Sequence, residues 1–161
     1  MLSVLCVESN AQNMDLTPPK ESSTYSTAIG VRAGGTSGIT IKHFITSSSA
    51  LEGIISFGPH WMSVHGLYEF YTPAFNAPGL NWYYGGGGHF GIQSERFYWP
   101  EDKGPKGDRI GLGVDGIVGL EYKIPPIPIA ISIDVKPMLG AWTDGGIRWG
   151  IDPGLGVKLA F

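Results

Sequence analysis

Period-two alternation of apolar with small or polar residues runs through most of this chain, and it restricts the fold more than any other feature. A strand turns successive side chains to opposite faces, whereas a helix repeats every 3.6 residues. In GLGVKLAF, Leu155, Val157, Leu159 and Phe161 share one face while Gly154, Gly156, Lys158 and Ala160 share the other. The same pattern marks eight segments, at about 25–33, 38–46, 51–58, 61–72, 82–94, 109–123, 129–139 and 147–161. Helical periodicity is absent over any useful length. The connections are rich in Gly, Pro and Ser, as in GGTSG, SSS, TPAFNAPG and IPPIP, and the longest is ERFYWPEDKGPKGD at 95–108.

Eight strands of about ten residues are the number and length that a small membrane barrel needs. Closure also removes edge strands, which an open sheet this apolar would expose. The expected fold is therefore all-β: a closed eight-stranded antiparallel up-and-down transmembrane β-barrel over 25–161. No run of about 18 apolar residues is present, so a membrane-spanning helix is not expected.

Alternation alone does not say which face points inward, because a soluble lipocalin-like barrel alternates too, with its apolar face inside. Three features favour the polar face as the inner one. The first is its small size: it holds Gly85, Gly87, Gly91, Gly111, Gly113, Gly119, Gly150, Gly154, Gly156 and Ala160. Small residues suit the cramped axis of an eight-stranded barrel.

The second is charge balance. Arg32, Lys42, Lys123, Lys136, Arg148 and Lys158 fall on that face, against Glu52, Glu69, Asp115, Glu121, Asp134 and Asp152. Buried charges need partners, so a matched set suits an enclosed ionic network. The third is that the apolar face carries essentially no charge, where an Arg or Lys at mid-bilayer would cost about 2–4 kcal/mol. Trp61, Trp82, Tyr84, Tyr122 and Trp149 stand near strand ends, where interfacial aromatic girdles sit. Phe44, Ile54, Leu67 and Ile117 fall on the inner face and His43 on the outer; a bulge in the second strand would exchange Phe44 with His43. Pro137 and Pro153 lie inside strands, where proline needs a rim or bulge position.

Charged residues make up 16% of the chain, below the roughly 25% of a typical soluble domain, and the net charge of -3 offers nucleic acid no basic patch. Cys6 is the sole cysteine, so no internal disulfide forms. Residues 1–12, MLSVLCVESNAQ, read as a residual signal-peptide-like segment, with small residues at Ser9 and Ala11, and 13–24 as a polar leader.

The stretches SNAQ, ALEGIISF, GLYEFYTPAFNAPGLNWYYGGGGHFGI, GVDGIVGLEYKIPPIPIAISIDVKPML and the terminal LGVKLAF carry a resemblance. Over about 25–161 the chain resembles the small outer-membrane β-barrel proteins of Bacteroidetes-type bacteria, akin in architecture to OmpX and the OmpA transmembrane domain. The resemblance implies the outer membrane of a Gram-negative bacterium, with both termini periplasmic and IPPIP as a periplasmic turn. It implies that Phe161 is the aromatic signal read by the barrel-assembly machinery. It also makes 95–108 an extracellular loop, whose Phe97, Tyr98 and Trp99 would meet lipopolysaccharide or a surface partner. The other outer loops, near 34–38 and 58–60, are short for such proteins.

The functional expectation is a non-enzymatic outer-membrane protein with a plugged, charge-balanced interior, serving membrane integrity or surface interaction and needing no cofactor. One alternative is a lipid-modifying hydrolase: Ser63, His65 and Glu69 share a strand face and have the residue types of nucleophile, base and orienter. The other is a soluble periplasmic ligand-binding barrel. A metal site is not expected from His43, His60, His65 and His89, since His60 and His65 fall on opposite strand faces. The run Gly85–Gly88 lacks the Lys-Ser/Thr ending and following helix of a phosphate loop.

Overall fold

The computed structural model describes residues 25–93 and 107–161; segments 1–12 and 13–24, and Phe97, Tyr98 and Trp99, lie outside the described residues. Eight strands follow one another in chain order. They are β1 (Thr27–Gly34), β2 (Gly38–Thr46), β3 (Ser49–Gly58), β4 (Trp61–Pro73), β5 (Leu80–Gln93), β6 (Arg109–Ile124), β7 (Ile129–Trp142) and β8 (Ile147–Ala160). Each pairs antiparallel with the next, and β1 pairs with β8 to close the barrel. At the seam, Thr27 and Phe161 exchange backbone hydrogen bonds of 2.8 Å.

An up-and-down order divides the connections between two ends. The proximal end carries Tyr25, Phe161 and the β2–β3, β4–β5 and β6–β7 connections. The distal end carries the β1–β2, β3–β4, β5–β6 and β7–β8 connections.

The barrel is inverted relative to a soluble one. Ile131 and Ile133 point outward at 39% and 61% exposure, while Asp134 and Lys136 beside them are 4% and 0% exposed. Strand after strand repeats this: Ile29 and Val31, Ile39 and Ile41, Val64 and Phe70, Leu112 and Val114, and Leu155 and Val157 are exposed. Among the described strand residues that point away from the axis, His43 is the one histidine, and none is Lys, Arg, Asp or Glu.

The glycines of the inner face make room for its large side chains, as their distribution predicts. A Cβ on Gly119 would lie 2.6 Å from Tyr83 Cζ and 2.6 Å from the Ile133 carbonyl oxygen. One on Gly154 would fall 2.2 Å from Arg32 Nη2. Phe44, Ile54, Leu67 and Ile117 are also inside, in one buried cluster with Ala50, Tyr71 and Tyr83. Along β3, β4 and β6, Ile54, Leu67 and Ile117 separate the inward carboxylates of the proximal half from the distal polar residues.

Two expectations about strand irregularities change. The irregularity in β2 falls between Phe44 and Thr46, beyond the pair it was expected to exchange. Phe44 therefore stays inside, edge-on to Tyr25 and Tyr71, and His43 stays outside. Pro137 and Pro153 both point outward in mid-strand rather than at a rim. The β6–β7 ladder passes from Asp115↔Met138 to Val118↔Val135, and Pro137 Cγ packs toward Gly116 in that gap.

Overpacking a filled interior typically costs about 1–3 kcal/mol. Gly119→Val should therefore lower unfolding free energy by about that much. Gly66→Ala, where an added Cβ meets nothing within 4 Å, should leave it nearly unchanged, as read by denaturant titration of the folded barrel.

Candidate functional site

Strand alternation carries the chain's inward polar residues to the axis, and the barrel register then groups them into three linked clusters. The proximal cluster centres on Lys42. Lys42 lies opposite Glu52 in the β2–β3 register. Its Nζ lies 3.2 Å from Glu52, 2.8 Å from Glu69 and 3.4 Å from Glu121. Lys158 adds contacts of 3.3 Å to Glu52 and 3.6 Å to Glu121. Tyr25 donates to Glu121, Thr40 to Glu52, and Lys42 to the Tyr71 hydroxyl. The Lys42 ammonium also lies 4.5 Å from the Tyr83 ring centroid, a favourable cation–π arrangement.

Farther along the axis, Arg32 bridges two carboxylates, 2.6 Å to Asp134 and 2.8 Å to Asp152. Tyr83 donates to Asp134 at 3.0 Å, and Thr36 donates to Asp152. Lys136, paired with Asp152 in the β7–β8 register, lies 3.9 Å from its carboxylate.

The distal cluster contains His65, His89, Asp115 and Ser63. His65 and His89 are direct partners across β4 and β5, their rings 5.2 Å apart. Both turn Nδ1 to Asp115, His65 at 2.7 Å to Oδ2 and His89 at 2.6 Å to Oδ1. An ionised carboxylate only accepts, so His89 Nδ1 donates to it; His65 Nδ1 stands between that carboxylate and the Lys136 ammonium, and donates to Asp115 in the tautomer with its proton there. The Nε2 of neutral His65 then accepts from the Ser63 hydroxyl at 2.9 Å. Lys136 Nζ lies 3.1 Å from His65 Nδ1.

Ser63, His65 and His89 line a cavity of about 260 Å³ at the distal end. Thr36, Trp61, Met62, Gln93, Met138 and Trp142 complete most of its wall, so the opening is largely apolar around a polar floor. Asp115 sits behind the two rings at 5% exposure.

His65, His89 and Asp115 also offer donor atoms within 4.8 Å of one another, a set able to hold a metal ion. The chemistry of the surroundings opposes a divalent cation, because the Lys136 ammonium already lies against His65 Nδ1. Spacing along one strand could not reveal this trio; its signal is the cross-strand pairing of His65 with His89.

The buried members of the expected network are Arg32, Lys42, Glu52, Glu69, Asp115, Glu121, Asp134, Lys136, Asp152 and Lys158. Two expected members differ. Arg148 is exposed: it pairs with Asp144 at 3.0 Å and lies 5.2 Å from the Trp142 ring, because β8 extends past the filled lumen. Lys123 is half-buried at the proximal rim and donates to the Ile124 and Ile127 carbonyls at 3.3 and 2.6 Å. Among the described residues, four buried Lys and Arg thus face six buried Asp and Glu, and Asp115 is held between two histidines instead. Glu69 is not the partner of His65: it is bound to Lys42, and Asp115 takes the place assigned to it beside Ser63 and His65.

Comparison of the chain with family models, with curated proteins and with solved structures finds no match to any of the three.

Removing one partner of a buried ion pair costs about 3–5 kcal/mol, because the other charge is left unpaired. Lys42→Met should destabilise the barrel by about that amount in denaturant unfolding. Adding Glu69→Gln should restore part of the loss, since it removes a carboxylate that Lys42 no longer offsets.

Proposed function

We propose that this chain is an integral outer-membrane β-barrel whose outer wall lies in lipid hydrocarbon and whose body is a sealed, non-conducting scaffold. One observation carries the reading: the outward face of all eight strands is apolar while the paired ions are inside. Water would solvate that outer surface poorly, whereas a bilayer solvates it well and would penalise each outward Lys or Arg by about 2–4 kcal/mol. The closed ladder leaves no edge backbone to satisfy in lipid.

The aromatic side chains support two interfacial belts. Phe70, Trp82, Tyr84, Tyr122 and Phe75 are exposed toward the proximal end, and Trp149 toward the distal end at 78%. Phe75 packs tilted against Trp82, ring centroids 5.8 Å apart, from a turn where it holds φ 53°.

The interior argues against the two rival roles of a barrel. A soluble ligand-binding barrel needs an apolar cavity within; here the axis holds Lys42, Arg32, Lys136 and their carboxylates. A pore needs a continuous wet path; here Ile54, Leu67, Ile117, Tyr71 and Tyr83 fill one side of the axis and the ion pairs of Arg32, Asp134, Asp152 and Lys136 the other. The finer reading, an OmpX- or OmpA-like protein of a Gram-negative outer membrane with periplasmic termini, rests on the sequence resemblance and on this inverted architecture. Membrane integrity or surface interaction is the corresponding role, with lipopolysaccharide lipid around the wall and the barrel-assembly machinery acting on insertion.

In cell fractionation the protein should stay with membranes through washes in high salt and alkaline carbonate and be released by detergent. Unboiled protein should migrate differently from boiled protein on a denaturing gel, and planar bilayers containing it should show no stepwise conductance. Recovery in the salt wash would contradict membrane integration, and regular conductance steps would contradict the sealed interior.

A further inference from the structure

We propose that the distal mouth of the barrel carries an acyl-ester hydrolase centre, with Ser63 as nucleophile, His65 as base and Asp115 as the residue that positions His65. The inference goes beyond the scaffold reading, and rests on it only for the prospect that the ester belongs to a lipid.

Three observations meet at this one place. A hydrogen-bonded chain runs from Ser63 Oγ to His65 Nε2 at 2.9 Å, and from His65 Nδ1 to Asp115 Oδ2 at 2.7 Å. That is the order of contacts by which a hydroxyl is activated through an imidazole oriented by a buried carboxylate. The chain also has a direction: the Asp115 carboxylate is fully buried behind the ring, while Ser63 and His65 line the cavity. Finally, the cavity wall is of the right chemistry. Trp61, Met62, Met138 and Trp142 give an acyl chain apolar contact, and Gln93 supplies an amide with two N–H donors for a developing oxyanion.

The second histidine fits the same arrangement. His89 donates to the other oxygen of Asp115 at 2.6 Å, which fixes the carboxylate so that Oδ2 faces His65. Both histidine contacts to Asp115 use Nδ1; with the His65 proton on Nδ1, where the Lys136 ammonium also lies at 3.1 Å, Nε2 is left for the serine proton. The arrangement needs inward residues of β4, β5 and β6 at matched heights, and the register supplies them through the pairs His65↔His89 and Gly87↔Asp115.

In the reaction, Ser63 Oγ bonds to the ester carbonyl carbon as its proton passes to His65 Nε2. The tetrahedral intermediate collapses, the bond from carbon to the alcohol oxygen breaks, and that oxygen takes the proton from His65. Water entering from the mouth then repeats the sequence: it gives a proton to His65 and its oxygen to the acyl carbon. The bond to Ser63 breaks, Ser63 regains the proton, and a carboxylic acid leaves. Asp115 stays ionised throughout and stabilises the imidazolium against the Lys136 ammonium 3.1 Å from the same ring.

The test uses the full chain folded in detergent micelles, with p-nitrophenyl butyrate as substrate and a fluorophosphonate as covalent probe. Wild-type protein should hydrolyse the ester and carry the phosphonate on Ser63, located by peptide mass spectrometry. Ser63→Ala should abolish both. Asp115→Asn should lower kcat by about 10²–10⁴-fold with KM little changed, the range expected for loss of effective base catalysis. Glu69→Gln should leave kcat within about twofold, because Glu69 belongs to the Lys42 cluster. Heat-dependent gel migration reports folding of each variant, and His65→Gln serves in place of Asp115→Asn if the latter does not fold. Folded wild type that is neither labelled at Ser63 nor active overturns the proposal, as does turnover that survives Ser63→Ala. Either result leaves membrane integration standing, and failure to partition into membranes leaves the labelling result readable.

Discussion

The whole barrel depends on one constraint: a strand that shows an apolar side to the outside must turn its other side inward. With the β1–β8 seam closed, that other side has nowhere to go but the axis. Each consequence follows from this. Charged residues placed at the axis must find partners in a space barely wide enough for side chains. Glycines must stand opposite the largest of those side chains, as Gly119 does for Tyr83 and Gly154 for Arg32. The interior is thus a packed ionic core rather than a lumen in the ordinary sense.

That core is graded along the axis. Near the proximal end, Lys42 and Lys158 share Glu52, Glu69 and Glu121 under a lid of Tyr25, Phe44 and Tyr71. Ile54, Leu67 and Ile117 then replace polar residues on β3, β4 and β6, while Arg32, Asp134, Asp152 and Lys136 carry the ionic network past them on β1, β7 and β8. Beyond them the inner face changes character: bulky ion pairs give way to histidines, a serine and glycines such as Gly91, and space opens at the mouth. The distal half holds the cavity lined by Ser63, His65 and His89.

Much of this was legible in the sequence because alternation encodes facing directly. Strand existence, the inward path of Arg32, Lys42, Asp134 and Lys136, and the outward path of Ile131 and Ile133 all follow from counting by twos. Ends were harder. β7 runs to Trp142, past the expected stop at 139, because Gly140 and Ala141 weaken the hydrophobic signal without ending the pairing. Arg148 keeps the inward phase of β8 yet lies exposed, since phase says nothing of where the filled interior stops. Partnership was the least legible. Which carboxylate meets His65 depends on how far β6 slides past β5, and neighbours along β4 suggested Glu69 where the register delivers Asp115.

The measurement that bears most directly on the inverted barrel is a nitroxide scan along β7 in lipid vesicles, one spin label at a time from Ala130 to Lys136. Oxygen, which concentrates in hydrocarbon, and a water-soluble nickel chelate serve as competing relaxants. Labels at Ile131, Ile133 and Val135 should respond to oxygen, while those at Ser132 and Asp134 should be shielded from both, in strict alternation. Relaxation of the isoleucine positions by the nickel chelate, with the intervening positions free in water, would contradict the account at its root.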